Sequence, residues 1–439
     1  MSNKITINNK IKSFSKKINV SGDKSLSIRW VLFSSLANGK SKAKNLLMSE
    51  DVLAAINAIK ILGIKVIIKK NECEIFGKGI NGFKYKKNLK INAKNSGTLG
   101  RLILGLLVNS PFSIKLIGDK SLSKRDFKRV SDPLSKFGAK FILKNNKNLP
   151  LKICGNKNLK PIYYNEKKGS AQCKSAVILA GMRTEGITII KAKKSRNHTE
   201  LLSKYLKLPI KIKIKKNYDL IKVKKVNKIK KINYKIPSDI SSGAFFMVLT
   251  ALTKDAKLTI KNVNINSSRT GIITILKKMG VIIKYQNTKI YKGEKLADII
   301  IKNPKFIKPI KCPTKYNSCA IDEFLIIFLV AAKAKGVSTF KDIGELNQKE
   351  SPRLTWGNKI LNSIGIKTIL TKNSIKIFGN PNVKVEKKII IKNFLKDHRV
   401  FMTSVIAGLT FGGVWEIHDK SSIKTSFPNF LKIINELKK

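Results

Sequence analysis

Acids are scarce in this chain. Aspartate and glutamate supply 26 of its 439 residues against 90 lysines and arginines, for a formal net charge of +64. Such a balance raises the question of a nucleic-acid or anionic-surface partner. Aromatics make up only 7% and do not interleave with the basic runs, which are spread along the whole length. That argues for solvated lysine-rich faces, because nucleic-acid binders gather their charge. Cys73, Cys154, Cys173, Cys312 and Cys319 show no CxxC spacing, and His198, His398 and His418 lie far apart. No zinc site is expected, and reduced thiols are the default. The apolar run Phe324 to Ala332 is too short to span a bilayer, and the start, MSNKITINNK, has no apolar signal region. The expectations are a cytoplasmic chain, no membrane, no nucleic acid and no metal.

Arginine is scarce too. Nine of the 90 basic residues are arginine: Arg29, Arg101, Arg125, Arg129, Arg183, Arg196, Arg269, Arg353 and Arg399. The planar guanidinium grips carboxylate or phosphate with two bonds, which lysine cannot do. A chain that drifts toward lysine should keep arginine where that fork matters.

What is present is a repeat, with a period of roughly 75 residues, longer than those of solenoids. Six stretches are apolar nearly all round, the mark of buried helices: Ser25–Leu36, Thr98–Val108, Gln172–Gly181, Ser241–Leu252, Asp322–Ala332 and His398–Leu409. Amphipathic helices leading into a glycine and a strand pair alternate with them, as in "VLAAINAIKILGIKVIIKKNECEIFG". The pattern predicts six α/β units, three plus three, with a break near Ile236-Pro237-Ser238. A first strand around Lys4–Thr6 could pair with the C-terminal half, where the last unit lacks strands. This predicts one domain from 1–21 plus 237–439 and another from 22–236.

Each buried stretch begins in a polar cluster: GDKS, KNSGT, GSAQ, PSDISS, IDE and KDHR. Helix N-termini carry unsatisfied N–H groups and attract anions. Ordinary capping explains Ser and Asp there. It does not explain Lys24, Arg29, Gln172, His398 or Arg399, since charged groups are rarely buried unless paired or binding something.

In order, the clusters resemble the 5-enolpyruvylshikimate-3-phosphate synthase family. "SGDKSLSIR" (21–29) resembles its Lys-Ser-x-x-x-Arg signature, and "NSGTLGR" (95–101) its Asn-x-Gly-Thr loop. "GDKSLSKR", "SAQCKSA", "SRNHTE", "PSDISSGAFF", "SSRTG", "IDE", "KESPR", "DHR" and "TSFPNF" follow in the family's order over nearly the whole chain. The resemblance implies an enolpyruvyl-transferase, inside-out α/β barrel architecture. Each domain would hold three βαβαββ-type units around buried parallel helices, with an active site in the interdomain cleft. It implies transfer of the enolpyruvyl group of phosphoenolpyruvate to shikimate 3-phosphate through a tetrahedral adduct, without cofactor, by a monomer. The two small molecules are its expected partners.

By the same resemblance, shikimate 3-phosphate would meet Lys24, Ser25, Arg29, Ser170, Ala171, Gln172, Arg196, Asp322 and Lys349. Phosphoenolpyruvate would meet Lys24, Asn95, Gly97, Arg125, Gln172, Arg353, His398, Arg399 and Lys424. Asp322 and Glu350 would move protons, with Lys24 assisting. "KESPR" also suggests a local start, with Ser351 as N-cap and Pro352 as first helical residue. Five positions depart from the usual family pattern: Leu102, Asp126, Leu325, Asn347 and Pro352. Gly97 lacks the methyl that crowds out glyphosate in tolerant members, so sensitivity is expected. The sister transferase acting on UDP-N-acetylglucosamine fits less well: Lys24 is followed by serine, and the 118–125 loop has no cysteine.

Overall fold

A helix apolar on every side can only be stable when other elements surround it. The six all-apolar stretches are such helices: Lys24–Ser35, Gly97–Leu107, Ala171–Gly181, Ile240–Leu252, Phe324–Ala332 and His398–Phe411. Every residue of the Phe324–Ala332 helix is buried. The amphipathic stretches form Glu50–Ile61, Lys128–Ser135, His198–Tyr205, Gly271–Lys278, Arg353–Ser363 and Phe430–Lys438. One boundary differs from the sequence expectation. Asp322 is not helical but sits in the turn before Glu323, the residue that precedes the helix start at Phe324.

The structure is a computed structural model that describes residues 3–69 and 72–439. The chain divides into two units. The terminal unit holds Met1–Ser21, Pro237–Ile290 and Lys295–Lys439; the middle unit holds Gly22–Ile236 and Tyr291–Glu294. Each has its own hydrophobic core.

Three sheets of one pattern wrap the buried helices of the middle unit. Leu89–Asn92 runs parallel to Ile114–Ile117, which pairs antiparallel with Asn148–Cys154, flanked in turn by Lys140–Lys144. Tyr163–Glu166, Ile187–Lys193, Tyr218–Lys224 and Ile210–Ile214 repeat that order. So do Tyr234–Lys235, Asn38–Lys44, Glu72–Lys78 and Lys65–Lys69. The last strand of 22–236 thus completes the first sheet. Inside, the Gly97–Leu107 and Ala171–Gly181 helices meet backbone to backbone: a Cβ on Gly105 would lie 2.2 Å from the Ala176 carbonyl oxygen. Only glycine permits that approach.

The terminal unit repeats the pattern with two four-stranded sheets and one of three strands. In the last, Lys388–Ile391 is parallel to Val414–Ile417, and Ile5–Ile7 takes the antiparallel place that a following hairpin fills elsewhere. Glu416 fastens this strand. Its carboxylate lies 3.2 Å from Lys4 Nζ and accepts from His418 Nε2 at 2.9 Å. Hydrogen bonds from His418 and then Lys4 hold the carboxyl down to about 2 from an ordinary 4.5. A depressed carboxylate stabilises the fold above its unfolded value and loses that contribution as pH falls through the folded value. Acid unfolding followed by circular dichroism should therefore be shallower between pH 4.5 and 2 in Glu416→Gln than in the parent. An identical acid profile would show that the strand does not depend on this carboxylate.

Candidate active site

Each unit carries its own cluster of the residues singled out above. In the middle unit, Asp23 caps the Lys24–Ser35 helix by accepting from the Leu26 N–H. Lys24 and Ser25 open that helix, and Lys24 Nζ donates to Asp51 Oδ2 at 2.9 Å. Ser96 caps the Gly97–Leu107 helix and Ser170 the Ala171–Gly181 helix. Their first turns are cross-linked. Arg101 donates to Gln172 Oε1 at 2.6 Å, and Gln172 Nε2 donates to Thr98 Oγ1 at 3.0 Å. Those two bonds fix which end of the amide is which. Arg101 also stacks on Phe127, 5.1 Å from the ring centroid. Arg125 Nη2 donates to Asn95 Oδ1 at 3.2 Å. A Cβ on Gly97 would lie 2.9 Å from Arg125 Nη1 and 3.0 Å from Arg101 Nη1.

Arg29 is placed deeper than a surface anion grip. It is 3% exposed, and its nitrogens donate to Thr199 Oγ1 at 2.8 Å, Ser175 Oγ at 3.1 Å and the Ser25 carbonyl at 3.1 Å. Burial pulls the guanidinium down to about 10, against the opposing pull of Glu200 and Asp23, so it stays charged at neutral pH. Arg196 occupies the turn ahead of the His198–Tyr205 helix.

In the terminal unit the starts of all three buried helices are joined by side chains. Ser241, in the first turn of Ile240–Leu252, donates to Glu323 Oε1 at 2.5 Å. Glu323 adjoins the Phe324 helix and lies 3.6 Å from Arg399 Nη1, in the first turn of His398–Phe411. Arg399 also donates to the Asp322 carbonyl at 2.6 Å. Asp322 itself stands among cations: Lys349 Nζ at 3.4 Å, Arg353 Nη1 at 3.4 Å and Arg399 Nη2 at 4.0 Å. Glu350 accepts from Arg353 Nη2. His398 Nδ1 is 3.2 Å from Thr425 Oγ1, the neighbour of exposed Lys424.

Asp397 organises this cluster. It caps its helix through the Arg399 N–H at 2.9 Å and accepts from Arg353 Nε at 2.8 Å and Nη2 at 3.2 Å. Burial raises the Asp397 carboxyl, yet Arg353 outweighs it and leaves the group below the usual carboxylate range. Burial lowers Arg353, but Asp397, then Glu350 and Asp322, raise it above an ordinary arginine.

Ser351 is not the cap expected from the sequence. Its hydroxyl donates to Asp397 Oδ2 at 2.9 Å, and the helix begins at Arg353 with Pro352 before it. The cap comes from Asn347, whose Oδ1 accepts from the Leu354 N–H at 3.0 Å and the Thr355 N–H at 3.4 Å. That gives one departure from the family pattern a local purpose. Sequence reasoning also passed over the acids that hold the cations, Asp51, Glu323 and Asp397. Their scarcity was the available signal.

It missed Glu294 as well. Tyr291–Glu294 forms the turn between strands Ile282–Tyr291 and Glu294–Lys302, and it belongs to the middle unit. There Tyr291 packs edge-on against Tyr234, with centroids 5.4 Å apart, and its hydroxyl accepts from the Lys235 N–H at 2.9 Å. Glu294 Oε1 lies 2.7 Å from His198 Nδ1, and both side chains are buried. His198 is thus tied two residues beyond Arg196. No helix among the described residues is long and apolar enough to cross a membrane.

Residues 8–434 match the EPSP synthase (3-phosphoshikimate 1-carboxyvinyltransferase) family. A 3-phosphoshikimate 1-carboxyvinyltransferase of Ruthia magnifica is 40% identical over 430 residues, covering 97% of this chain and 96% of the relative. One from Bacillus cytotoxicus is 35% identical over 421 residues, covering 95% and 97%. The solved EPSP synthase of Acinetobacter baumannii superposes with a TM-score of 0.86 at 35% identity, over 98% of this chain and 97% of that one. The enolpyruvyl transferase NikO of Streptomyces tendae shares the fold, with a TM-score of 0.76 at 13% identity. The chain belongs to the EPSP synthase family.

Proposed function

We infer that the protein transfers the enolpyruvyl group of phosphoenolpyruvate to the 5-hydroxyl of shikimate 3-phosphate and releases phosphate. The observation that carries the reading at the site is Asp322, a carboxylate amid Lys349, Arg353 and Arg399. Both substrates are polyanions, so the cations supply binding. Asp322, unlike the fully buried Asp397, keeps part of its carboxylate exposed and can take the proton that the reaction releases. In this reading Lys24, Ser25, Arg29, Ser170, Ala171, Gln172, Arg196, Asp322 and Lys349 serve shikimate 3-phosphate. Lys24, Asn95, Gly97, Arg125, Gln172, Arg353, His398, Arg399 and Lys424 serve phosphoenolpyruvate. The clusters of both units act in the same reaction.

The atoms balance in two steps. The hydroxyl oxygen bonds to C2 of phosphoenolpyruvate and gives its proton to Asp322, while C3 takes a proton from Glu350. The resulting tetrahedral adduct then returns a C3 proton to Glu350 as the C2–O bond to phosphate breaks, and the proton held by Asp322 passes to the departing phosphate, which leaves as hydrogen phosphate and restores the carboxylate. Lys24 neutralises charge at the departing phosphate. No oxidant or cofactor enters this scheme. A monomer in the cytoplasm completes the proposal.

Phosphate release with both substrates, and with each omitted, tests the reaction. Release should require both. Release from phosphoenolpyruvate alone at the full rate would overturn it. Gly97 gives a second check. The atoms a new methyl would meet are the far ends of two flexible arginines, so Gly97→Ala should fold normally but push Arg125 aside. The KM for phosphoenolpyruvate should rise about ten-fold, the value of one displaced charge-assisted bond, with the KM for shikimate 3-phosphate held. Equal kinetics would remove Arg125 from the phosphoenolpyruvate site.

A further inference from the structure

Beneath the Arg29 cluster of the middle unit lies an ion pair that the proposed chemistry does not use. Lys174 Nζ is 2.6 Å from Glu200 Oε1, and the two side chains are 0% and 3% exposed. Neither oxygen of Glu200 accepts a well-aligned hydrogen bond from the described residues. For stability this is a poor use of core volume. Desolvating two charges costs several kcal/mol each, and apolar side chains of similar size often serve as well or better. Its neighbours supply a different rationale.

Lys174 precedes Ser175, and Glu200 follows Thr199. Those two hydroxyls are 2.7 Å apart, and both receive the guanidinium of Arg29. Lys174 stands one helical turn after Ser170 and two residues after Gln172. Glu200 stands four residues after Arg196. The pair therefore joins the helix that presents Ser170 and Gln172 to the helix that follows Arg196. Apolar surfaces tolerate small slides and rotations, whereas drawing apart two buried charges that lie 2.6 Å from each other is costly where the dielectric is low. Such registry is the best-attested use of buried polar groups.

We propose that Lys174 and Glu200 are positioning residues. Their ion pair sets the register between the Ala171–Gly181 and His198–Tyr205 helices, and so aligns Arg29, Ser170, Gln172 and Arg196 on shikimate 3-phosphate. The proposal rests on the assignment of those four residues to that substrate. A 1 Å misplacement of such a clamp can cost about a hundred-fold in rate.

The test compares Lys174→Met/Glu200→Leu with Arg196→Gln by steady-state kinetics. Arg196→Gln reads the substrate assignment and should raise the KM for shikimate 3-phosphate. The double variant removes both charges together, so no lone charge is left buried. Its KM for shikimate 3-phosphate should rise about ten-fold or more, equivalent to about 1.4 kcal/mol. The KM for phosphoenolpyruvate should stay within about two-fold. Circular dichroism of the double variant under assay conditions must show the parent's folded spectrum, because a partly unfolded population raises an apparent KM by the inverse of its folded fraction. The reversed pair, Lys174→Glu/Glu200→Lys, should recover part of the loss. If Arg196→Gln leaves that KM unchanged, the substrate assignment fails. If Arg196→Gln raises it and the double variant does not, the positioning proposal fails.

Discussion

Asp322→Asn should lower kcat by about 10²- to 10⁴-fold, the usual worth of one positioned acid–base group. The asparagine fills the same space and leaves the backbone carbonyl that accepts from Arg399. What it removes is a negative charge shared by Lys349, Arg353 and Arg399. Those cations then lose part of their internal compensation and attract anionic substrate at least as well as before. The signature is therefore a collapse of kcat with the KM for phosphoenolpyruvate unchanged or lowered. A purely structural Asp322 would give the opposite, with loosened arginines, raised KM values and much of kcat retained. Turnover of Asp322→Asn within about ten-fold of the parent would end the proton-transfer assignment. Glu350→Gln provides the companion measurement. Loss of deuterium incorporation at C3 in that variant, with substrate binding intact, assigns the carbon proton to it.

Asp397→Ala should cost about 3–5 kcal/mol of stability, the usual result of breaking a buried ion pair from one side. One aspartate here has three tasks. It binds two nitrogens of Arg353, accepts from Ser351 and caps the His398–Phe411 helix. Without it, a guanidinium 1% exposed keeps its charge but loses the partner that best offsets burial. Asp397→Asn retains the cap and one acceptor, and should lie between alanine and the parent. Urea unfolding, read as a shift in midpoint at constant slope, measures both. A midpoint for Asp397→Ala within experimental error of the parent would show that Arg353 is held by Glu350 and Asp322 alone. Because the Asp397 carboxyl titrates below its unfolded value, its contribution is present at neutral pH and lost in acid. The alanine and parent midpoints should therefore converge as pH falls through the folded value.

The sequence made the helices readable because burial on all sides leaves little choice of residue. Boundaries such as Ala171–Gly181 fall within a residue of the apolar run. Strand order was less legible, since it depends on which segment returns beside which: Tyr234–Lys235 completes a sheet begun at Asn38–Lys44. The arginines could be located from their rarity. Their partners could not, because Asp397 and Arg353 are 44 positions apart and nothing local links them. Arg29 shows the limit most clearly. Its motif marks it as an anion grip, but nothing local in the sequence names the three protein oxygens, on Ser25, Ser175 and Thr199, to which it also donates. Capping was misread at Ser351 because its hydroxyl is turned to Asp397, 46 positions away in the sequence. Asn347, upstream of it, took the role.

The four residues Tyr291–Glu294 set an order of events during synthesis. Chains emerge at about 5–20 residues per second, and domains fold as they appear. Once residue 236 has emerged, the middle unit still lacks the tip that covers Tyr234 and meets His198. The intervening stretch takes roughly 3–11 s at those rates. The terminal unit waits longer, because Ile5 needs Ile417. The first strand made is thus among the last to be paired. A gene fragment ending at 236 would encode nearly all of the middle unit's core and none of the carboxylate that meets His198. The two units can be drawn as separate bodies, but they cannot be cut from the gene as separate cassettes.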